Sequence, residues 1–145
     1  MTDTGALRAA ERDLLPDGFE WGRIFEFDIG AYHGRAEVDG FNPTTMEAIE
    51  ICLSETSEAS PKPGQKRKLA SDALKLIFLH DLGLIGRGKI FVTSAELSRW
   101  FHETGSWLSA ACRHYGISLE LKTIRNKRKR KVVRNALAHA RREMS

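Results

Sequence analysis

An alternation of apolar and polar residues over 36–53, interrupted at 42–45, constrains the fold more than any other feature of this chain. The interruption reads Asn-Pro-Thr-Thr, and asparagine and proline both favour turn geometry. In the run that follows, Ile49 and Ile51 fall on one side of a strand and Glu50 on the other. The pattern predicts a β-hairpin that buries one side and carries acidic side chains on the other.

Two carboxylates are expected to meet across this hairpin. Alternation puts Glu37 and Asp39 on one face of its first strand, and Glu50 and Cys52 on one face of its second strand. Acids on two neighbouring strands are an arrangement that holds a hard divalent cation such as Mg²⁺ beside a phosphodiester. Asp39 and Glu50 are therefore candidate metal ligands and catalytic residues, and Glu37 is either a third ligand or a solvated neighbour.

The remaining periodicity predicts an α/β fold with the element order helix, three strands, helix, strand, helix, strand. The predicted helices cover residues 6–15, 65–82 and 94–115, and the predicted strands cover residues 19–32, 36–41, 46–53, 88–93 and 117–121. Gly83 is expected to end the second helix, and Gly105 to divide the third. The second helix has a broad apolar stripe and carries Lys68, Asp72 and Lys75 on its opposite face.

This order of elements, with Asp39 on one strand and Glu50 on the next, resembles the PD-(D/E)XK nuclease superfamily. The resemblance covers about residues 11–124. It implies a restriction-endonuclease-like core, which is a central mixed sheet flanked by helices in the order α-β-β-β-α-β, here with one further helix and strand. It also implies that Asp39 and Glu50 bind Mg²⁺ and activate water. The family often adds an acid from the first helix, where this chain has Glu11; a surface position is the alternative for that residue.

The family places a lysine two residues after the second acid, and this chain has Cys52 there. A neutral thiol does not stabilise the charge that develops on a phosphate under attack. Some members of the family carry the lysine on the following helix, so Lys66 and Lys68 are candidate catalytic replacements. The alternative is that this basic helix start contacts phosphate or solvent only.

The basic charge of the chain is concentrated at its end. Residues 122–145 carry ten Lys or Arg and one Asp or Glu, whereas residues 1–121 carry 13 and 18. Clustered basic side chains release counterions from nucleic-acid phosphates, although a solvated terminus is the alternative. We expect a single nuclease-like domain over 1–124 and a basic tail over 125–145 that is helical or disordered. The candidate nucleic-acid-binding residues are Lys127, Arg128, Lys129, Arg130 and Lys131.

Composition argues against several other classes of protein. No run approaches the roughly 18 apolar residues of a membrane span, and residues 1–5 lack the features of a secretory signal. We therefore expect no membrane partner and a cytoplasmic location. Cys52 and Cys112 are too few for a disulfide framework, and no histidine is placed at zinc-ligand spacing.

Three functions are compatible with these features. The first is Mg²⁺-dependent hydrolysis of DNA or RNA phosphodiesters by a nuclease. The second is a degenerate nuclease-like domain that binds nucleic acid or a protein partner, with a homodimer as one form of such an interaction. The third is DNA binding by a helix-turn-helix over residues 93–117. The choice rests on the site, because a fold does not fix a function.

Overall fold

The computed structural model describes residues 3–54, 61–124 and 127–144, and within them a five-stranded mixed sheet forms the centre. The strands are Glu20–Ile29 (β1), Tyr32–Asn42 (β2), Glu47–Cys52 (β3), Arg87–Val92 (β4) and Ser118–Leu121 (β5). They lie side by side in the order of the chain. β1, β2 and β3 pair in antiparallel fashion, whereas β4 lies parallel to both β3 and β5.

Helices flank this sheet and fill the connections between its parallel strands. They are Asp3–Asp13 (α1), Pro63–Asp81 (α2), Ala95–Glu103 (α3), Trp107–His114 (α4) and Lys127–Met144 (α5). The architecture confirms the predicted α/β class with a mixed sheet flanked by helices. None of the described helices is both long enough and apolar enough to cross a membrane.

Glycines account for the element boundaries that the pattern located well and for one that it missed. Gly83 (φ +77°) follows α2, and Gly105 (φ +64°) separates α3 from α4. A positive φ favours glycine, and the sequence predicted both of these boundaries. Gly30 (φ +58°) reverses the chain between β1 and β2. Tyr32 therefore begins β2, and the prediction that the first strand extends to residue 32 is wrong.

Apolar side chains form one cluster on each face of the sheet. The larger cluster joins β2, β3 and β4 to α2, α3 and α4; the smaller one consists of Ile49, Ile51 and Phe91, packed against residues 14–19 after α1. Along β3, Ala48 and Cys52 belong to the larger cluster. Alternation therefore directs Glu50 toward the face that α2 covers.

The C-terminal basic segment includes a helix that packs on the rest of the chain. α5 lies against α1, and its Val133 and Ala136 are buried. Residues 125 and 126 lie outside the described part of the chain, as do the side chains of residues 127–129. A stretch of the predicted tail thus contributes apolar side chains to packing as well as charge.

Candidate active site

Asp39 lies where β2 and β3 separate. Pairing between the two strands joins Gly40 to Ile49 and continues toward the turn. Beyond the Gly40–Ile49 pair, on the side away from the turn, the backbone N–H of Ile51 donates a hydrogen bond of 2.7 Å to Oδ2 of Asp39. A side-chain carboxylate thus takes the place that a backbone carbonyl occupies in a regular ladder. This bond fixes Asp39 against the strand that carries Glu50.

Glu50 is a buried acid with one satisfied oxygen. The residue is 1% exposed, and its Oε2 lies 3.2 Å from Nζ of Lys75 on α2. The same ammonium group donates to the backbone carbonyl of Glu37 at 2.9 Å. Oε1 of Glu50 is buried and accepts no hydrogen bond from any described residue. A buried carboxylate oxygen without a hydrogen-bond partner is costly in a protein interior unless a ligand binds to it.

A second ion pair lies on the same face of α2. Nζ of Lys68 lies 2.7 Å from both carboxylate oxygens of Asp72. The Asp72 side chain is 3% exposed, whereas that of Lys68 is 52% exposed. Asp72 therefore fixes the ammonium end of this lysine, while about half of the side-chain surface of Lys68 remains exposed to solvent.

Burial and mutual repulsion raise the pKa values of Glu50, Asp39 and Glu11. Burial, followed by the negative charges of Asp39 and Asp72, raises the pKa of Glu50 to about 8. Burial also raises the pKa of Asp39, although the hydrogen bond from Ile51 opposes the shift. For Glu11 on α1, burial and then the charge of Asp39 raise the pKa to about 7. Glu11 is thus close enough to Asp39 to interact with it.

These contacts define an acid cluster drawn from four elements of the fold. Its members are Glu11 of α1, Asp39 of β2, Glu50 of β3 and Asp72 of α2. The charges of Lys68 and Lys75 oppose it, and that of Arg8 acts on Glu11. In the described part of the chain, no three or more His, Cys, Asp or Glu side chains are already arranged as a metal-binding group.

Lys66 and Cys52, which were considered for the position of the motif lysine, lie in environments different from that of Lys68. Nζ of Lys66 lies 4.9 Å from the centroid of the Trp100 ring, in a cation–π contact. Cys52 is 2% exposed, and burial, followed by the charge of Asp72, raises the pKa of its thiol to about 12. Cys52 is therefore a neutral thiol at neutral pH. Of the two candidate lysines, Lys68 lies in contact with the acid cluster.

The remaining candidates lie in three places. The Glu37 side chain is exposed on β2, and only its backbone carbonyl is bonded to Lys75. Arg130 and Lys131 are exposed on α5, whereas the side chains of Lys127, Arg128 and Lys129 lie outside the described residues. The two helices considered for DNA binding, α3 and α4, contribute buried side chains to the larger apolar cluster. These are Leu97, Phe101, Leu108 and Cys112.

Sequence reasoning missed the roles of Lys75 and Asp72. It placed both, with Lys68, on the polar face of a surface helix, where charged residues are usually solvated. The spacing of the three, four residues and then three, puts them on one stripe beside the apolar one. That regular stripe is the signal that could have identified a second face in contact with the protein.

No protein-family model, curated protein or solved structure matches the chain.

Proposed function

We propose that this protein is a Mg²⁺-dependent nuclease with a restriction-endonuclease-like core that hydrolyses phosphodiester bonds in DNA or RNA. The observation that carries the proposal is the buried Oε1 of Glu50, which has no hydrogen-bond partner among the described residues. Three of the four acids in its cluster, Glu11, Asp39 and Glu50, lie on the elements that carry acids in the family that the sequence resembles. A cation that takes this oxygen as a ligand would remove its desolvation cost.

The charge balance of the acid cluster supports a divalent cation. Four carboxylates face the ammonium groups of Lys68 and Lys75 and the guanidinium group of Arg8, which acts on Glu11, and this leaves an excess of one negative charge when every group is ionised. Without a cation, protonation relieves this excess, as the raised pKa values of Glu11 and Glu50 indicate. A bound Mg²⁺ would relieve it without protonation.

The donor atoms suit a hard cation. Asp39 and Glu50 would hold Mg²⁺ through carboxylate oxygens, with the backbone carbonyl of Ile51 as a further ligand and water completing the coordination. When bound, the ion would stabilise charge on a phosphate oxygen and lower the pKa of a bound water. Lys75 holds Glu50 at the junction of α2 and β3, and thereby positions one of the two acids.

We assign to Lys68 the role of the lysine that the family places two residues after the second acid. Burial lowers its pKa, but the charge and hydrogen bonds of Asp72 outweigh this, and its pKa is raised overall. The group therefore remains an ammonium ion, and about half of its side-chain surface is open to a substrate. A fixed positive charge at this point would stabilise the charge that develops on the phosphate during attack by water.

Cleavage assays on the full chain test the proposal. Labelled single-stranded and duplex DNA and RNA would be incubated with Mg²⁺ or Mn²⁺, and products separated by electrophoresis. Replacement of the buried acid, Glu50→Gln, should lower the cleavage rate by at least ~10²-fold. Glu47→Gln is the matched control, because Glu47 is an acid on the same strand that instead pairs with Lys89 and Arg87. Nucleic-acid binding without metal-dependent cleavage of any of these substrates would refute the proposed nuclease activity.

The neutral thiol of Cys52 favours a second candidate, in which the nuclease-like domain binds without catalysis. The position that carries a cation in the family is here uncharged and buried. Such a domain would retain nucleic-acid binding or would bind a protein partner, including a second copy of this chain. Cleavage by the native chain would refute this candidate.

A further inference from the structure

A cavity of about 370 Å³ lies between α5 and the ends of the three parallel strands. Its wall includes Ser54 after β3, Thr93 after β4 and Thr123 after β5. The carboxyl ends of parallel strands are a common location for ligand sites in α/β proteins. The cavity is distinct from the acid cluster, because none of the four acids of that cluster lines it.

Ser54, a residue of the cavity wall, carries a buried hydroxyl group that has no partner in the described part of the chain. The backbone N–H and carbonyl of Ser54 both bond to Oγ1 of Thr93, at 3.0 and 3.1 Å, and this fixes the backbone of Ser54. The residue is 9% exposed, and its own Oγ is buried with no hydrogen-bond partner among the described residues. An unpaired buried hydroxyl group is costly in a protein interior, and a bound polar ligand would offset that cost.

The cavity is positively polarised. Arg130 and Arg134 lie one turn apart on α5, and both contribute to its wall. The start of α3 also faces it through Ala95 and Glu96, whose N–H groups have no partner within the helix. The carboxylate of Glu96 opposes an anion here and accepts a bond from Ser94 Oγ at 3.2 Å. Two guanidinium groups against one carboxylate still leave net positive charge.

The rest of the wall is apolar. Its apolar side chains are those of Ala95, Leu121, Ile124, Val133 and Leu137. The volume is at the lower end of the range for small-molecule sites. Guanidinium groups and helix N-termini favour phosphate, whereas the apolar wall favours a carbon-rich body attached to it.

We propose that this cavity binds a phosphomonoester of mononucleotide size, with the phosphate between the start of α3 and the two arginines. The hydroxyl of Ser54 donates to the same ligand, and the apolar side chains pack against its sugar or base. The ligand is either a free nucleoside monophosphate or the 5′-phosphorylated end of a strand. The proposal is independent of the proposed nuclease function, because it uses none of the acids or lysines assigned to cleavage.

Calorimetric titration of the full chain with AMP, adenosine and inorganic phosphate tests this site. AMP should bind at least ~10-fold more tightly than either of its parts, because the phosphate and the apolar body use different walls. Arg134→Gln should weaken AMP binding by at least ~10-fold, and Ser54→Ala by several-fold. Glu96→Gln should strengthen it, because this substitution removes the opposing charge. Thermal melting of each variant confirms that it folds.

Lys131→Gln is the matched control, because Lys131 is an exposed cation on the same helix outside the cavity wall. Equal weakening by Lys131→Gln and Arg134→Gln would overturn the proposal and indicate general attraction to a basic helix. Absence of AMP binding at millimolar concentration would also overturn it.

Competition by oligonucleotides distinguishes the two sources of the phosphomonoester. Displacement of AMP by a 5′-phosphorylated strand but not by its 5′-hydroxyl counterpart assigns the site to strand ends. Displacement by neither strand assigns the site to free nucleotide. Both results require that AMP binds.

Discussion

The ammonium group of Lys75 lies 3.2 Å from Oε2 of Glu50 and 2.9 Å from the backbone carbonyl of Glu37. One side chain of α2 thus joins β2 to β3 close to the point where these strands separate. Glu50 is the more deeply buried member of the pair, with a side chain 2% exposed compared with 32% for Lys75. Loss of the lysine would leave a buried carboxylate with no cation in contact, and the cost depends on whether that carboxylate is ionised.

Replacement of this lysine should therefore destabilise the protein in a pH-dependent way. We expect Lys75→Met to lower the free energy of unfolding by about 1–3 kcal/mol at pH 9, where Glu50 would be ionised, and by less at pH 6, where it is protonated. Urea unfolding at the two pH values measures this difference. In a Glu50→Gln background the same substitution should cost nearly the same at both pH values. An equal cost at both pH values in the native background would contradict the assigned pairing.

Raised carboxyl pKa values predict that the protein loses stability as pH rises. The folded state holds its proton on Glu50 up to about pH 8, whereas the unfolded chain releases it near pH 4.5. The folded state therefore binds more protons between these values, and the free energy of unfolding should fall across this window. Glu50→Gln should flatten the decline in urea or thermal unfolding. A rise in stability from pH 5 to pH 8 that this substitution removes would contradict the shift.

The same titration predicts how Mg²⁺ should act. An ion bound as proposed would compete with protons for Glu50, so millimolar Mg²⁺ should raise the melting temperature more at pH 8.5 than at pH 6. Glu50→Gln should abolish most of this stabilisation, and the control Glu47→Gln should retain it. An equal stabilisation of the native chain and Glu50→Gln would place the binding of Mg²⁺ elsewhere.

The hairpin and its acids could be predicted from sequence, whereas the lysine that pairs with Glu50 could not. Alternation along β3 is local, so Ile49 and Ile51 already indicate which way Glu50 points. The pairing of Lys75 with Glu50 depends on how α2 is rotated against the sheet, across 25 residues of chain. No local pattern specifies that rotation. Pattern likewise gave the helical potential of the basic segment but not its packing, because Val133 and Ala136 are buried by contacts between distant parts of the chain.

Lys68 should affect the rate of cleavage more than the affinity for substrate. An interaction made mainly in the transition state changes the cleavage rate while leaving ground-state binding nearly intact. We expect Lys68→Met to lower the Mg²⁺-dependent cleavage rate by at least ~10²-fold with little change in the substrate dissociation constant. Lys66→Met is the matched control, because Lys66 lies on the same helix but contacts Trp100. Equal losses from both substitutions would remove Lys68 from the assigned role.

The exposed cations of α5 should contribute affinity for nucleic acid that depends on salt. Neutralising two of them, Arg130→Gln with Lys131→Gln, should make the slope of log affinity against log salt less steep by about 0.9 for each duplex phosphate that the protein no longer neutralises. The pair Arg35→Gln with Arg99→Gln removes the same charge from exposed positions on β2 and α3. Point substitutions are preferable to deletion of residues 125–145, because deletion would also remove the buried Val133 and Ala136. An unchanged slope would exclude α5 from binding.

Restoring a lysine at position 52 distinguishes a weak or decayed nuclease from a domain adapted to binding. Cys52 follows Glu50 by two residues on β3, so the new ammonium group would point to the same face of the strand. There it would lie near Asp72, whose charge already acts on the thiol. The added charge is costly to bury, so Cys52→Lys should lower the melting temperature unless the acid cluster neutralises it. Cys52→Met, which adds volume without charge, is the control.

A gain of Mg²⁺-dependent cleavage in Cys52→Lys but not in Cys52→Met would show that the acids retain catalytic geometry and lack only the motif cation. A folded Cys52→Lys variant with no more activity than Cys52→Met would instead show that the acids are not positioned for the chemistry of that lysine.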